Sequence, residues 1–205
     1  EANVFDNNMQ TQPNAQVNKI SEYELFKQMQ ANTDEELTQR GLSVDQIAQL
    51  RNFNYETEIR KRAMLSDRKL VDMGYDKESI DILRNFDGSE DQIVTLSASL
   101  SLSCSISQYF YREGKTYAVI SYNWSWSSMP FWTMTDIIGI AWDPSFYQTP
   151  NNVNDKQTIS KYNGNTYVGT YVTALSCKSP GNAAGCEFPV LINERKNHWA
   201  KSATG

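Results

Sequence analysis

His198 is the only histidine among the 205 residues, and it stands beside Trp199 near the C-terminus. A serine–histidine–acid triad would need it as the base. Serines are scattered through the whole second half, however, and no Gly-x-Ser-x-Gly turn offers one as a nucleophile. His198 therefore reads as a surface or edge-packed side chain. Asp136 and Asp143 have the residue types of a glycosidase pair, yet they flank one predicted strand and lie roughly 20–24 Å apart at about 3.3 Å per residue. One histidine and three cysteines without Cys-x-x-Cys spacing give zinc no ligand set. No Gly-rich loop follows a strand to cradle a phosphate. The chain reads more readily as a binding protein than as an enzyme, with a hydrolase of unseen site as the third reading, and no catalytic residue, metal or cofactor is assigned.

Two other groups carry more. Cys177 and Cys186 bracket a segment containing Pro180-Gly181, a turn signal. That spacing predicts a disulfide across a short hairpin, contributing roughly 2–3 kcal/mol. A bridge from Cys104 to either of them is the competing pairing. Left over, Cys104 falls on the apolar side of a strand and reads as a buried, inert thiol. The stretch 122–132 (YNWSWSSMPFW) sets Trp124 and Trp126 on one strand face, with Phe131 and Trp132 after a Ser-Ser-Met-Pro turn. These four are the candidate ligand-binding residues, because aromatic rings on a β surface stack on sugars or anchor in a bilayer interface. In the alternative, Trp124 and Trp126 fill a core and only the turn is exposed. Asn123-Trp124-Ser125 also fits the N-glycosylation triplet.

The elements that must position these groups change near residue 96. Residues 33–53 recur at an offset of 33 as residues 66–86, with eight identities: Asp34/Asp67, Leu37/Leu70, Gly41/Gly74, Ile47/Ile80, Leu50/Leu83, Arg51/Arg84, Asn52/Asn85 and Phe53/Phe86. Such a period marks a duplicated helical unit. Each unit, 33–65 and 66–95, reads as three short helices. Thr33 or Ser66 caps the first, and Gly41 or Gly74 ends it in the left-handed conformation. Ser43 or Asp76 caps the second, and the third begins near Tyr55 or Ser89. A helix over 19–30 precedes them, with Ser21 as a cap, so the helical repeat region spans 19–95. Residues 1–18 read as a polar, flexible lead-in.

From residue 94 the hydrophobic period switches from helical to two. Leu96, Ala98, Leu100, Leu102, Cys104 and Ile106 alternate strictly with serines, giving a strand with one apolar and one hydroxyl face. A turn at 112–115 returns the chain along 116–127. A third strand near 135–142 is apolar on both sides and reads as central; residues 148–165 read as a polar loop with at most a short edge strand. Further strands are expected at 166–176, 188–192 and 198–203. The expected fold class is α+β: the helical repeat region, then an antiparallel β-sandwich over 96–205. Residues 1–96 carry a net charge of −7 and the remainder +2, which together make the chain's −5. Neither half offers the clustered basic face that nucleic acid requires. The run Arg60-Lys61-Arg62 is flanked by carboxylates and reads as a solvated helix face. No apolar run is long enough to span a membrane as a helix.

Met73-Gly74-Tyr75, Leu83 and Asp87-Gly88-Ser89-Glu90 together resemble the pattern of ubiquitin-associated three-helix domains, in which the Met-Gly-aromatic loop contacts ubiquitin. The first unit departs from it with Arg40-Gly41-Leu42. Over about half its length, the chain resembles a group of secreted proteins of Gram-positive bacteria. The resemblance rests on Leu83-Arg84-Asn85-Phe86, Asp87-Gly88-Ser89, the Ser/Leu strand over 96–102 and Trp124-Ser-Trp-Ser-Ser128. It implies export and brings no activity with it. Few lysines, a Ser/Thr/Asn/Tyr-rich β region and two close cysteines point the same way. The expectation is an extracellular or surface-associated binding module for a glycan, a cell-wall component or a protein. The alternative is a membrane-active, pore-forming or bacteriocin-like protein that uses the amphipathic hairpin 96–126.

Overall fold

Each helix begins where a short polar side chain can take an orphan backbone amide. In the computed structural model, which describes residues 16–112, 115–133, 135–141, 156–163, 166–174, 176–178, 183–189, 191–193 and 198–204, seven helices appear. They are α1 (Glu22–Ala31), α2 (Asp34–Gln39), α3 (Val44–Asn52), α4 (Tyr55–Ala63), α5 (Asp67–Asp72), α6 (Lys77–Arg84) and α7 (Glu90–Leu96). Ser21, Thr33, Ser43, Asn54, Ser66 and Asp76 each accept a backbone N–H from the first turn of the helix they precede, and Thr33 and Ser43 complete reciprocal capping boxes. Residues 1–15, the turn residues 113–114, Asp143, the loop up to residue 155 and Pro180-Gly181 lie outside the described residues.

The repeated Leu-Arg-Asn-Phe motif holds each unit together by the same contacts. Arg51 donates to Gln30 O at 2.6 Å, Asn32 O at 2.5 Å and Asp34 at 2.8 Å. Arg84 donates to Ala63 O, to Leu65 O at 2.6 Å and to Asp67 at 2.5 Å. The acceptors differ by the repeat period, so each arginine ties the end of one helix to the start of the next. Asn52 and Asn85 donate back to Ala48 O and Asp81 O in their own helices, while Leu50 and Leu83 are fully buried.

The strands are β1 (Gln16–Ser21), β2 (Ser99–Arg112), β3 (Lys115–Trp126), β4 (Thr135–Ala141), β5 (Lys156–Asn163), β6 (Thr166–Ala174), β7 (Ser176–Lys178), β8 (Ala183–Pro189), β9 (Leu191–Asn193) and β10 (His198–Thr204). All observed pairings are antiparallel. A seven-stranded sheet runs β1-β2-β3-β10-β5-β6, with β9 also on β10, and a three-stranded sheet runs β4-β8-β7. Ser21 pairs with Ser99, and Glu22 N–H donates to Ala98 O at 2.9 Å. The whole helical region is thus inserted between two neighbouring strands, and its two ends meet at one point of the sheet.

The α+β class is observed, with a core formed by helices on a sheet. Phe26, Leu37, Ile59, Leu70, Leu83 and Leu96 pack in one cluster with Tyr122, Trp124, Trp126, Ile159 and Ala200. The apolar face that a sandwich would turn toward a second sheet is covered by helices. Several segments differ from expectation. Residues 16–21, assigned to the lead-in and the first helix, form β1, because Ser21 caps α1 and leaves the residues before it extended. Residues 156–163, expected as loop or edge, form β5 between β10 and β6, and Ile159 is fully buried there. Among the described residues the apolar β4 is an end strand of its sheet, paired with β8: an apolar run carries no information about neighbours at the sides. Cys104 is exposed, although it shares the face of Leu102, and partial desolvation still pushes its thiol pKa up.

Candidate functional site

The four aromatics singled out by sequence fall at the junction between helices and sheet. Trp124 is 2 % exposed, Trp126 7 % and Phe131 9 %, while Trp132 is half-buried. Rings closed in to this degree offer no face to a sugar. Phe131 packs edge-on to Tyr55 at 5.4 Å, and Trp132 lies 5.6 Å from Phe26 and 5.3 Å from Phe53. The turn is no exposed tip either: Ser128, Met129 and Pro130 are buried, and only Ser127 is open. These side chains seat the turn into the helical units.

Charged groups missed in the sequence hold the same turn. Arg62 of α4, 8 % exposed, donates to Met129 O, Pro130 O and the Tyr75 hydroxyl, each at 2.7 Å. Its guanidinium lies 3.6 Å from the Phe131 ring centroid, a stacking that suits a planar cation. Glu22, the first residue of α1, accepts from Trp132 N–H at 2.6 Å and from Ala98 N–H at 3.4 Å. Burial raises the pKa of its carboxyl above the ordinary range; the amides of Trp132, Phe131 and Ala98 and the charge of Arg62 oppose that shift without cancelling it. Burial also raises the pKa of Tyr55, reinforced by the Glu22 charge, but its hydroxyl makes no hydrogen bond of good geometry. The sequence signal for this cluster was the basic run Arg60-Lys61-Arg62. One member of the run points inward, while Arg60 and Lys61 pair with Glu56 and Glu58 at the surface.

The same junction closes the loop that resembles the ubiquitin-contacting one. Met73 is 8 % exposed and Tyr75 3 %. Met129 N–H donates to Met73 O at 2.7 Å, and a Cβ on Gly74 would stand 3.0 Å from Ser128 Cα. This loop is occupied by the chain's own turn.

Among the described residues, the opposite face of the seven-stranded sheet carries exposed and half-buried polar side chains. Cross-strand partners share a face, and the register sets Lys19, Ser101, Ser125, Ser202, Ser160 and Thr170 in one row from β1 to β6. Ser103, Asn123 and Thr158 belong to the next row, with Ser105 and Ser121 beyond them. Asn123, Ser125, Thr158 and Thr170 are exposed and the other serines half-buried. At about 4.8 Å between strands, the five hydroxyls from Ser101 to Thr170 extend over about 19 Å.

His198 opens β10 opposite Asn193, Asp136 lies in β4 opposite Phe188, and Cys177 in β7 is directly opposite Cys186 in β8. Among the described residues no three of histidine, cysteine, aspartate and glutamate gather, and no helix is long and apolar enough to cross a membrane. The chain matches no protein-family model, no curated protein and no solved structure.

Proposed function

We propose that the protein is a non-enzymatic, secreted or surface-associated binding module that takes a glycan of cell-wall type on the hydroxyl face of its seven-stranded sheet. The observation that carries this reading is the uninterrupted row of hydroxyls from Ser101 to Thr170, on the face that the helices leave uncovered. Regularly spaced hydroxyls on a rigid sheet match a polymer that is itself a row of hydroxyls and ring oxygens, through direct and water-bridged hydrogen bonds. Aromatic stacking is not part of this mode, because the tryptophans are committed to the core. Secretion draws support from the resemblance to exported proteins. It also draws on the backbone register of Cys177 and Cys186, since directly opposed positions in an antiparallel pair have the Cα separation a disulfide needs.

The test is co-sedimentation with insoluble peptidoglycan, chitin and cellulose, comparing the parent protein with Ser125→Lys and Thr170→Lys. Both positions are exposed, so the fold should be intact. The parent should sediment with at least one polymer, and each variant should bind about tenfold more weakly. No sedimentation, or variants that bind like the parent, would sink the reading. A true sandwich, with the three-stranded sheet closed over the hydroxyl face, is the competing arrangement; a thiol reagent reaching Ser125→Cys as fast as a free thiol would exclude it.

One observation favours the membrane-active reading as a second candidate. The β2–β3 hairpin is paired out to Arg112 and Lys115, whereas among the described residues β1 flanks it only to Cys104 and β10 only to Asn123. Tyr111 near its tip is 72 % exposed. Dye release from anionic vesicles together with a blue shift of Trp emission would support it, and silence in both would remove it.

A further inference from the structure

Among the described residues, β6 is the outermost strand of the seven-stranded sheet, on the side away from β1. Its nine residues read Thr-Tyr-Val-Gly-Thr-Tyr-Val-Thr-Ala, with no charge and no proline. Edge strands are normally blunted by a lysine, a proline or a short length, and β6 has none of these. Tyr167 is 54 % exposed, Val168 40 %, Tyr171 41 % and Val172 59 %. The strand's one irregularity lies early, where Val168 slips out of register with β5 and Gly169 takes a φ of +131°. From Gly169 to Ala174 it runs in unbroken register with β5.

We propose that β6 is a dimerisation edge whose occupant is β6 of a second copy of this chain, paired antiparallel about a two-fold axis perpendicular to the sheet. A pairing centred on Val172 uses residues 170–174 of the regular stretch: Val172 lies opposite itself and Thr170 opposite Ala174. Three properties select a second copy. An isologous contact needs a segment compatible with its own reverse, and about Val172 the reversed strand sets Val172 on Val172, Tyr171 on Thr173 and Thr170 on Ala174, all uncharged pairs. It brings no like charges together, because it has none. The bulge at Val168 interrupts the regular register just before Gly169, which limits the contact to one closed pair. The perpendicular axis also keeps both hydroxyl faces on the same side, so a dimer presents one doubled face and gains avidity for any repeating ligand. The dimer itself does not depend on what that face binds.

The test is light scattering coupled to size-exclusion chromatography at about 50 µM. It compares the parent chain with Val172→Lys and with Val44→Lys, a control at an 81 % exposed helix position. The parent and Val44→Lys should have the mass of two chains and Val172→Lys that of one, with far-UV circular dichroism unchanged. A parent with the mass of one chain, a Val172→Lys variant that still has the mass of two, or dissociation of the control would each overturn the proposal. Amide exchange of the parent gives an independent reading should Val172→Lys fold poorly. Protection at 169–174 must fall on dilution, and concentration-independent exchange there also overturns it.

Discussion

Alanine at Gly74 and alanine at Gly41 form a matched pair supplied by the duplication itself. Both glycines end the first helix of their unit in the left-handed region, with φ of +91° and +93°. An alanine at either site bears the same conformational penalty, about 1–2 kcal/mol. Their surroundings differ. A Cβ on Gly41 meets nothing within 4 Å, whereas one on Gly74 meets Ser128 Cα at 3.0 Å and Ser127 O at 3.3 Å. Those are backbone atoms, and the adjoining residues are pinned by the bond from Met129 N–H to Met73 O and by Arg62. The turn cannot rotate out of the way, so overpacking adds about 1–3 kcal/mol. Gly41→Ala should therefore lose about 1–2 kcal/mol and Gly74→Ala about 2–5 kcal/mol, a large part of the about 5–15 kcal/mol that holds a typical domain. Urea unfolding followed by Trp emission reads both, since Trp124, Trp126 and Trp132 all lie at this junction. Equal losses in the two variants would refute the claim that the second unit grips the sheet through the Gly74 loop.

Glu22→Ala should cost about 2–6 kcal/mol, because it leaves the Trp132 and Ala98 amides without their acceptor, at about 1–3 kcal/mol each. Glu22→Gln keeps an acceptor for Trp132 N–H and tests the charge instead. The folded-state pKa of Glu22 is raised, so its linkage contribution is fully present below the unfolded value near 4.5 and is lost as pH rises through the folded value. The Gln variant should gain on the parent between pH 4 and pH 7 in paired urea titrations, and a constant difference would contradict the burial argument. Arg51→Ala and Arg84→Ala should each cost about 1 kcal/mol, reduced by solvent screening at these part-exposed clamps, and their double variant should be additive. Trp132→Ala should lower the melting temperature by less than the loss of a fully buried ring, which costs about 3–5 kcal/mol, and should leave any glycan binding unchanged. Alkylation of the native, unreduced protein should label Cys104 alone; three labels by mass spectrometry would rule out the bond between Cys177 and Cys186.

The helices were legible because their signals are local. A cap, a glycine and a run of apolar residues at helical spacing all lie within one turn or two of each other, so α2 to α7 begin close to where Thr33, Ser43, Tyr55, Ser66, Asp76 and Ser89 place them. The strands were legible only where alternation is strict, as in β2 and β3. β5 was missed because its sequence, Lys-Gln-Thr-Ile-Ser-Lys-Tyr-Asn, is polar on the hydroxyl face and meets the core mainly through Ile159. The sheet order was not legible at all, since β10 enters between β3 and β5 across more than seventy residues of sequence. The junction escaped for the same reason: Glu22, Arg62 and Trp132 become neighbours only when the insertion between β1 and β2 folds back on the sheet.

The duplication separates what builds a unit from what docks it. The eight shared positions build each unit and tie it to the helix before it: leucine and isoleucine cores, the glycine turn, the arginine clamp with its aspartate, the asparagine back-bond and the closing phenylalanine. The positions that face the sheet have diverged. Glu22 corresponds to Tyr55 by the repeat offset, Met29 to Arg62, Arg40 to Met73 and Leu42 to Tyr75. Three of the four later members of these pairs, Arg62 at the end of the first unit and Met73 and Tyr75 in the second, bond directly to each other or to the turn. Glu22 of α1, ahead of both units, accepts from Trp132 N–H just past the turn. A carboxylate before the first unit and a guanidinium at its end thus hold a single turn with opposite charges. Replacing Glu22 and Met29 by their offset partners, as Glu22→Tyr with Met29→Arg, would break the docking, because two arginines and no carboxylate would then meet one buried turn.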